Sequence, residues 1–158
     1  MKANRFMLSI TGNWIKEGND MAVKQVTVFI GNKEGRIEKV TEILKKNNIN
    51  ITSLSLAESV DFGLLRLIVS EPEKAKDALK EDGLSARLSD VIAVEISNEP
   101  GSLHELLTSL VDFNIEYMYV LSSADTASMI MKIKDYEAAE TVIAASGFRV
   151  LTQSDVSH

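Results

Sequence analysis

Val26, Val28 and Ile30 alternate with Gln25, Thr27 and Phe29, a period of two that predicts a strand with its aliphatic side chains on one face. The period then changes. Ile37, Val40, Ile43 and Leu44 recur at helical spacing, with Glu38, Lys39, Glu42, Lys45 and Lys46 on the opposite face. Asn47-Asn48 ends this helix, because asparagine tolerates the left-handed backbone common at a helix C-terminus. Ile49 to Ala57 reads as a second strand whose phase slips between Ile51 and Leu54, which signals a bulge. Asp61-Phe62-Gly63 reads as a turn, and Leu64 to Val69 as a nearly continuous apolar strand interrupted by Arg66. Glu71-Pro72-Glu73 opens a second helix, with proline in its first turn and acids at the positive end of its dipole. Ala75, Ala78 and Leu79 face inward, Gly83 closes the helix, and Leu84 to Leu88 gives a short fourth strand. The order is β-α-β-β-α-β, the split βαβ or ferredoxin-like unit.

The pattern then repeats. At an offset of 66, Val26, Val28 and Ile30 meet Ile92, Val94 and Ile96; Ile37, Val40 and Leu44 meet Leu103, Leu106 and Leu110; Asn48 and Ile49 meet Asn114 and Ile115. In the second helix the offset shortens to 64, where Gly83 meets Gly147 and Leu79 meets Ile143. The expected fold is therefore α+β, two tandem ferredoxin-like βαββαβ modules whose antiparallel sheets pack side by side. The expected limits are a weakly ordered N-terminal extension over 1–20, a first module over 21–88, a second over 89–153 and a tail over 154–158. Almost no linker remains near Ser89-Asp90, so the copies pack together rather than swing apart.

Composition removes function classes. The chain has 158 residues, no cysteine and two histidines, so disulfides, thiolate nucleophiles and iron–sulfur or zinc-ribbon sites are excluded, in keeping with a reducing cytoplasm. Its formal charge of −6 argues against a nucleic-acid partner. No apolar run approaches the length that spans a bilayer. The leader is rich in breakers and carries one short apolar cluster, Phe6 to Ile10; it reads as an upstream extension with Met21 as the true start, or as a loosely packed arm.

The stretch that carries candidate chemistry is Asn98-Glu99-Pro100-Gly101-Ser102-Leu103, echoed by Asn32-Lys33-Glu34-Gly35-Arg36-Ile37. Each leaves a strand and enters a helix. The first helical N–H groups lack intrahelical partners and the dipole makes that end positive, so a small anion such as a carboxylate fits there. Asn32 and Asn98 can hold an ammonium and a carboxylate together. Local grammar has a plainer account: Asn caps helices, Pro starts them and Gly turns chains. A duplicated fold also duplicates its turns.

The strand, the Asn-x-x-Gly-hydrophobic turn, the amphipathic helix and the Asn-Ile entry into the next strand together resemble the ACT domain family. The resemblance covers about 23–153. It implies amino-acid-binding, regulatory modules without catalysis, cofactor or metal, acting in a homodimer or beside a metabolic enzyme. Glu34 stands where proline is common in that turn. The resemblance places ligand contacts on Asn32, Glu34, Gly35, Arg36, Ile37, Asn50 and Ile51 in the first copy, and on Asn98, Pro100, Gly101, Ser102, Leu103 and Glu116 in the second. Glu116 lies 18 residues after Asn98, as Asn50 does after Asn32, so the two sites are expected to differ. The two turns are expected to face a groove between modules. The competing reading is an interaction subunit whose ligand site is vestigial.

Other motifs are blander. Asp61-Phe62-Gly63 matches the magnesium motif of kinases without any accompanying signature. His104 reads as a surface histidine in the first turn of a helix, and Glu71, Glu73 and Asp77 as a solvated face. Tyr117 and Tyr119 share one strand face, the placement of residues that pack at sheet or subunit interfaces; lining a ligand is the second reading for Tyr117.

Overall fold

The computed structural model describes residues 6–8, 14–16, 22–31, 34–58, 61–122 and 126–157, the first two stretches as backbone only. Most of the expected N-terminal extension lies outside the described residues, as do Asn32 and Lys33. Within the leader, β1 (Phe6–Leu8) and β2 (Trp14–Lys16) pair antiparallel.

The first copy runs β3 (Val23–Gly31), α1 (Arg36–Lys46), β4 (Ile51–Glu58), β5 (Phe62–Val69) and α2 (Pro72–Glu81). Asn48 takes the left-handed backbone, at φ 56°, behind α1. The phase slip in β4 is a bulge between Ile51 and Ser53. Gly63 departs from expectation: it lies inside β5, paired with Ile30, rather than in a turn. A Cβ there would stand 2.9 Å from Ile30 Cγ1, so close packing against the neighbouring strand, not a reversal of the chain, is what requires glycine.

Two expected strands are one. β6 (Ser85–Ile96) runs unbroken through Ser89-Asp90. Its first half pairs with β3, from Ser85 against Phe29 to Val91 against Val23. Its second half opens the second copy, pairing with β8 (Ala127–Ile133) on one side and β9 (Arg149–Leu151) on the other. Between these come α3 (Ser102–Ser109), β7 (Ile115–Ser122) and α4 (Tyr136–Ala145). The resulting antiparallel sheet has the order β4-β5-β3-β6-β8-β7, with β9 beside β6. The stretch read as a tail carries a one-turn helix, α5 (Gln153–Val156), whose Val156 is buried.

Alternation along the strands sorts side chains into three cores. Val26, Val28 and Ile30 meet Val40, Leu44 and Leu79 beneath α1 and α2. Ile92, Val94 and Ile96 meet Leu106, Ala139 and Ile143 beneath α3 and α4. Residues of opposite parity, Val23, Val91 and Ala93, join Ile68, Leu121, Ile130, Leu151 and Val156 in a core shared by both copies. The helices therefore lie outside, and the inner faces of the curled sheet close on each other. Each fully buried aliphatic side chain contributes about 1.5–3 kcal/mol.

Glu140 on α4 is the uncomfortable residue in this packing. Its Oε1 is buried without a hydrogen-bond partner among the described residues. Burial, then the nearby Glu137 and Asp90 carboxylates, raise its pKa above the ordinary 4.5. The folded chain thus holds this proton more tightly than the unfolded chain does. That contribution is present at acid pH and is lost as pH rises through the raised value. Glu140→Gln is expected to raise the unfolding midpoint at neutral pH, with the advantage vanishing near pH ~4. Thermal unfolding across that range checks the sign; equal midpoints at all pH values would contradict it.

Candidate functional site

The second expected turn and the described end of the first, Glu34-Gly35, each deliver a helix N-terminus opened by a left-handed glycine. Gly35 (φ 76°) precedes α1 and Gly101 (φ 98°) precedes α3, and among the described residues neither helix has a side-chain cap. A Cβ on either glycine would meet nothing within 4 Å, so the backbone conformation, not crowding, requires glycine. The first helical bonds run from Lys39 N–H to Gly35 O (3.1 Å) and from Glu105 N–H to Gly101 O (2.9 Å); ahead of the second, Ser102 N–H is already taken by Glu99 O at 3.2 Å, so at α3 the amides of Leu103 and His104 are the ones without an intrahelical acceptor. Asn98 is exposed and is not the cap.

Beside the first turn lies a cleft of about 500 Å³, lined by Glu34, Gly35, Arg36, Ile37 and Glu38, by Ile30 and Gly31 at the end of β3, and by Leu56, Glu58 and Gly63 of the β4–β5 pair. Beside the second lies one of about 570 Å³, lined by Glu95 to Glu99, Ser102, Glu105, Thr126 and Gly147 to Arg149. Ser97 and Ser102 share a hydroxyl–hydroxyl bond at its mouth, and Arg149 pairs with Glu95 at 3.0 Å. Pro100, Gly101 and Leu103 flank this second cleft without lining it. Three glutamates face each cleft, against one arginine, a charge pattern that turn grammar does not reveal because Leu56, Glu58, Thr126 and Arg149 come from distant strands and connections.

Asn50 and Ile51 are not in the first cleft. They line a third, of about 520 Å³, with Thr41, Lys45 and Asn48 at the C-terminal end of α1. The reason is topological. Gly31 pairs with Phe62 and Glu58 with Gly63 at one end of the sheet, whereas Ile51 pairs with Val69 at the other. Seven strand positions separate Ile51 from Glu58, roughly 23 Å. The turns themselves sit at opposite ends of β6, so they do not share a groove within one chain.

The inferred equivalence of Asn50 and Glu116 also shifts. Ile51 faces Val69 just before the bulge in β4; Ile115 faces Ile133 just before the bulge in β7. Both pairs are 64 residues apart, not 66, because the stretch from the turn glycine to the strand is two residues shorter in the second copy, Gly101 to Ile115 against Gly35 to Ile51. Asn114 is therefore the counterpart of Asn50, and both copies read Asn-Ile at this point. Glu116 matches Thr52, is exposed and lines none of the three clefts.

The inner faces cross in a defined sense. Ser53 Oγ donates to Val120 O at 3.0 Å, and Arg66, which pairs with Ser55, lies over the Tyr117 ring at 3.7 Å. As numbers rise along β7 they fall along β4. The Asn114 end of β7 thus points toward Glu58 and the first cleft. The Asn50 end of β4 points toward Ser122, which pairs with Ala127 beside the second cleft. Tyr117 and Tyr119 pack at this module interface.

His104 is exposed, as expected. Among the described residues no group of three or more His, Asp or Glu side chains converges as a metal site would require, and no helix is long and apolar enough to cross a membrane.

A family model for an ACT domain pair matches residues 21–158. The chain is similar to the crystal structure of protein BT0572 from Bacteroides thetaiotaomicron, at 37% identity and TM-score 0.84, over 89% of this chain and 99% of that one. It also shares its fold with the regulatory subunit of aspartate kinase from Thermus thermophilus in ligand-free form, at 20% identity and TM-score 0.60, over 82% and 95% of the two chains. The corresponding subunit from Thermus flavus gives 19% identity and TM-score 0.56, over 81% and 92%. No curated protein matches the chain.

Proposed function

Because the chain belongs to the ACT-domain family, as an ACT domain pair, we propose that it is a non-catalytic regulatory protein that binds a small amino acid at its module interfaces. The observation that carries this is the doubled helix N-terminus, each opened by a left-handed glycine and set beside a cleft of ligand size. The ligand carboxylate rests on the first-turn amides of α1 or α3. Its ammonium meets the surrounding glutamates, and an asparagine from the other module, Asn114 or Asn50, closes over it. Asn32 and Asn98 supply further hydrogen bonds from the turns. Occupancy then biases how modules or subunits pack, which is the regulatory output. A cytoplasmic homodimer beside a metabolic enzyme is the setting this reading implies.

A thermal-shift panel of the twenty amino acids is expected to give at least one selective stabiliser, since a ligand at a hundred times its Kd adds about 2.7 kcal/mol. A flat panel, confirmed by calorimetry at millimolar concentration, would sink the sensor reading. One observation favours the alternative, an enzyme's regulatory subunit with a vestigial site: three glutamates at each cleft repel a carboxylate. Under that reading the panel is flat and a stoichiometric enzyme co-purifies from native extract.

A further inference from the structure

Among the described residues three polar side chains are buried, Gln25, Thr27 and Ser128. Gln25 on β3 is wholly buried, on the strand face that carries Val23 into the shared inner core. Its Nε2 donates to Thr27 Oγ1 and to the Tyr117 hydroxyl, both at 2.9 Å. Its Oε1 accepts from the Tyr119 hydroxyl, also at 2.9 Å. Arg66 closes the group by stacking its guanidinium on Tyr117. Burial raises the Tyr119 pKa, the neighbouring Tyr117 adds to the shift and Arg66 opposes it, so the phenol stays a neutral donor.

We propose that Gln25, Tyr117 and Tyr119 form a latch that sets the angle at which the two module sheets cross. Gln25 belongs to the first copy and both tyrosines to β7 of the second, more than 90 residues away. A leucine would fill the same space and tolerate sliding, because apolar contacts are non-directional. The amide is not tolerant. Any slip of one sheet over the other breaks directional bonds and strands polar atoms in an apolar layer, which is costly. The interface therefore has a made state and a broken, hydrated state, with little between.

The latch stands at the interface between two ends of functional interest. β3 carries Gln25 and runs on to the Gly35 turn. β7 carries Tyr117 three residues after Asn114. The crossing angle decides whether Asn114 reaches the first cleft and Asn50 the second. That consequence rests on the ligand reading above; the latch itself does not.

The absence of cysteine makes the test clean. Spin labels on Lys45→Cys and Thr108→Cys, exposed on α1 and α3, report the crossing between modules. Labels on Lys45→Cys and Lys80→Cys report the inside of the first module. In the full-length chain both pairs are expected to give one narrow distance distribution. Gln25→Leu, and separately the milder Tyr119→Phe, are expected to shift or broaden the inter-module distribution by roughly 3 Å or more while the intra-module one stays narrow. An unchanged inter-module distribution in both variants overturns the proposal, and so does equal broadening of both pairs, which would mean general loosening. Neither outcome depends on any amino acid binding, so failure of the latch and failure of the ligand reading are told apart.

Discussion

Leu79→Ala is expected to destabilise the entire chain by about 2–5 kcal/mol, and the loss will be visible at residues in the other module. Leu79 on α2 is fully buried in the core of the first copy. Truncating it removes transfer energy and leaves a cavity that surrounding side chains fill only in part. In two modules joined by a loose linker the loss would stay local. Here β6 is a strand of both copies, and Val23 and Ile68 share a core with Ala93, Leu121 and Ile130. The first copy cannot unfold without exposing the inner face of the second. All three tyrosines, Tyr117, Tyr119 and Tyr136, lie in the second copy, and the single tryptophan is Trp14. In a Trp14→Phe background, tyrosine fluorescence follows the second copy and, through Tyr117 and Tyr119, its contact with the first, while far-UV circular dichroism follows both copies. The two signals should fall together, at one lowered urea midpoint. Tyrosine fluorescence holding the wild-type midpoint while circular dichroism drops in two steps would show independent modules.

The periodicities made the six-element unit and its repetition legible because each element buries one face and leaves the other wet. The family likeness rested on the same residues, and the match over residues 21–158 bears it out. What the sequence hid was how the copies join. The run Val91-Ile92-Ala93-Val94 is apolar at every position and buried at every position, the signature of a strand covered on both faces. Read as a strand with one buried face, it gave no hint of the inner core or of the continuity of β6. Gly63 was misplaced for a related reason: its need for glycine comes from Ile30, 33 positions away. The clefts were half legible. Turn residues are local, but Leu56, Glu58, Thr126 and Arg149 reach them only through strand pairing.

The register correction at β7 has a sharp consequence for binding. If ligand is held between the turn of one module and the strand entry of the other, the side chains that close the sites are Asn50 and Asn114. Counting 18 residues from each turn Asn names Glu116 instead, and two bulges decide between them: Ile51 and Ile115 occupy the same position in the two ladders. A side-chain hydrogen bond to a charged ligand group is worth about 1.5–3 kcal/mol, so Asn114→Ala and Asn50→Ala should each lower affinity at one site about 10- to 100-fold. Glu116→Gln should change it by less than about twofold, since Glu116 is exposed and its counterpart in the first copy is Thr52, not Asn50, so its charge acts only through screened solvent. Calorimetric titration of the amino acid that most stabilises the wild-type chain decides it, with unfolding midpoints of all three variants measured alongside. Asparagine at both positions also predicts that the sites are alike in this contact and differ instead in their walls, Leu56 and Arg36 in one, Phe148 and Arg149 in the other. A large loss from Glu116→Gln with wild-type binding in Asn114→Ala would restore the 18-residue equivalence, and with it two sites of unlike chemistry.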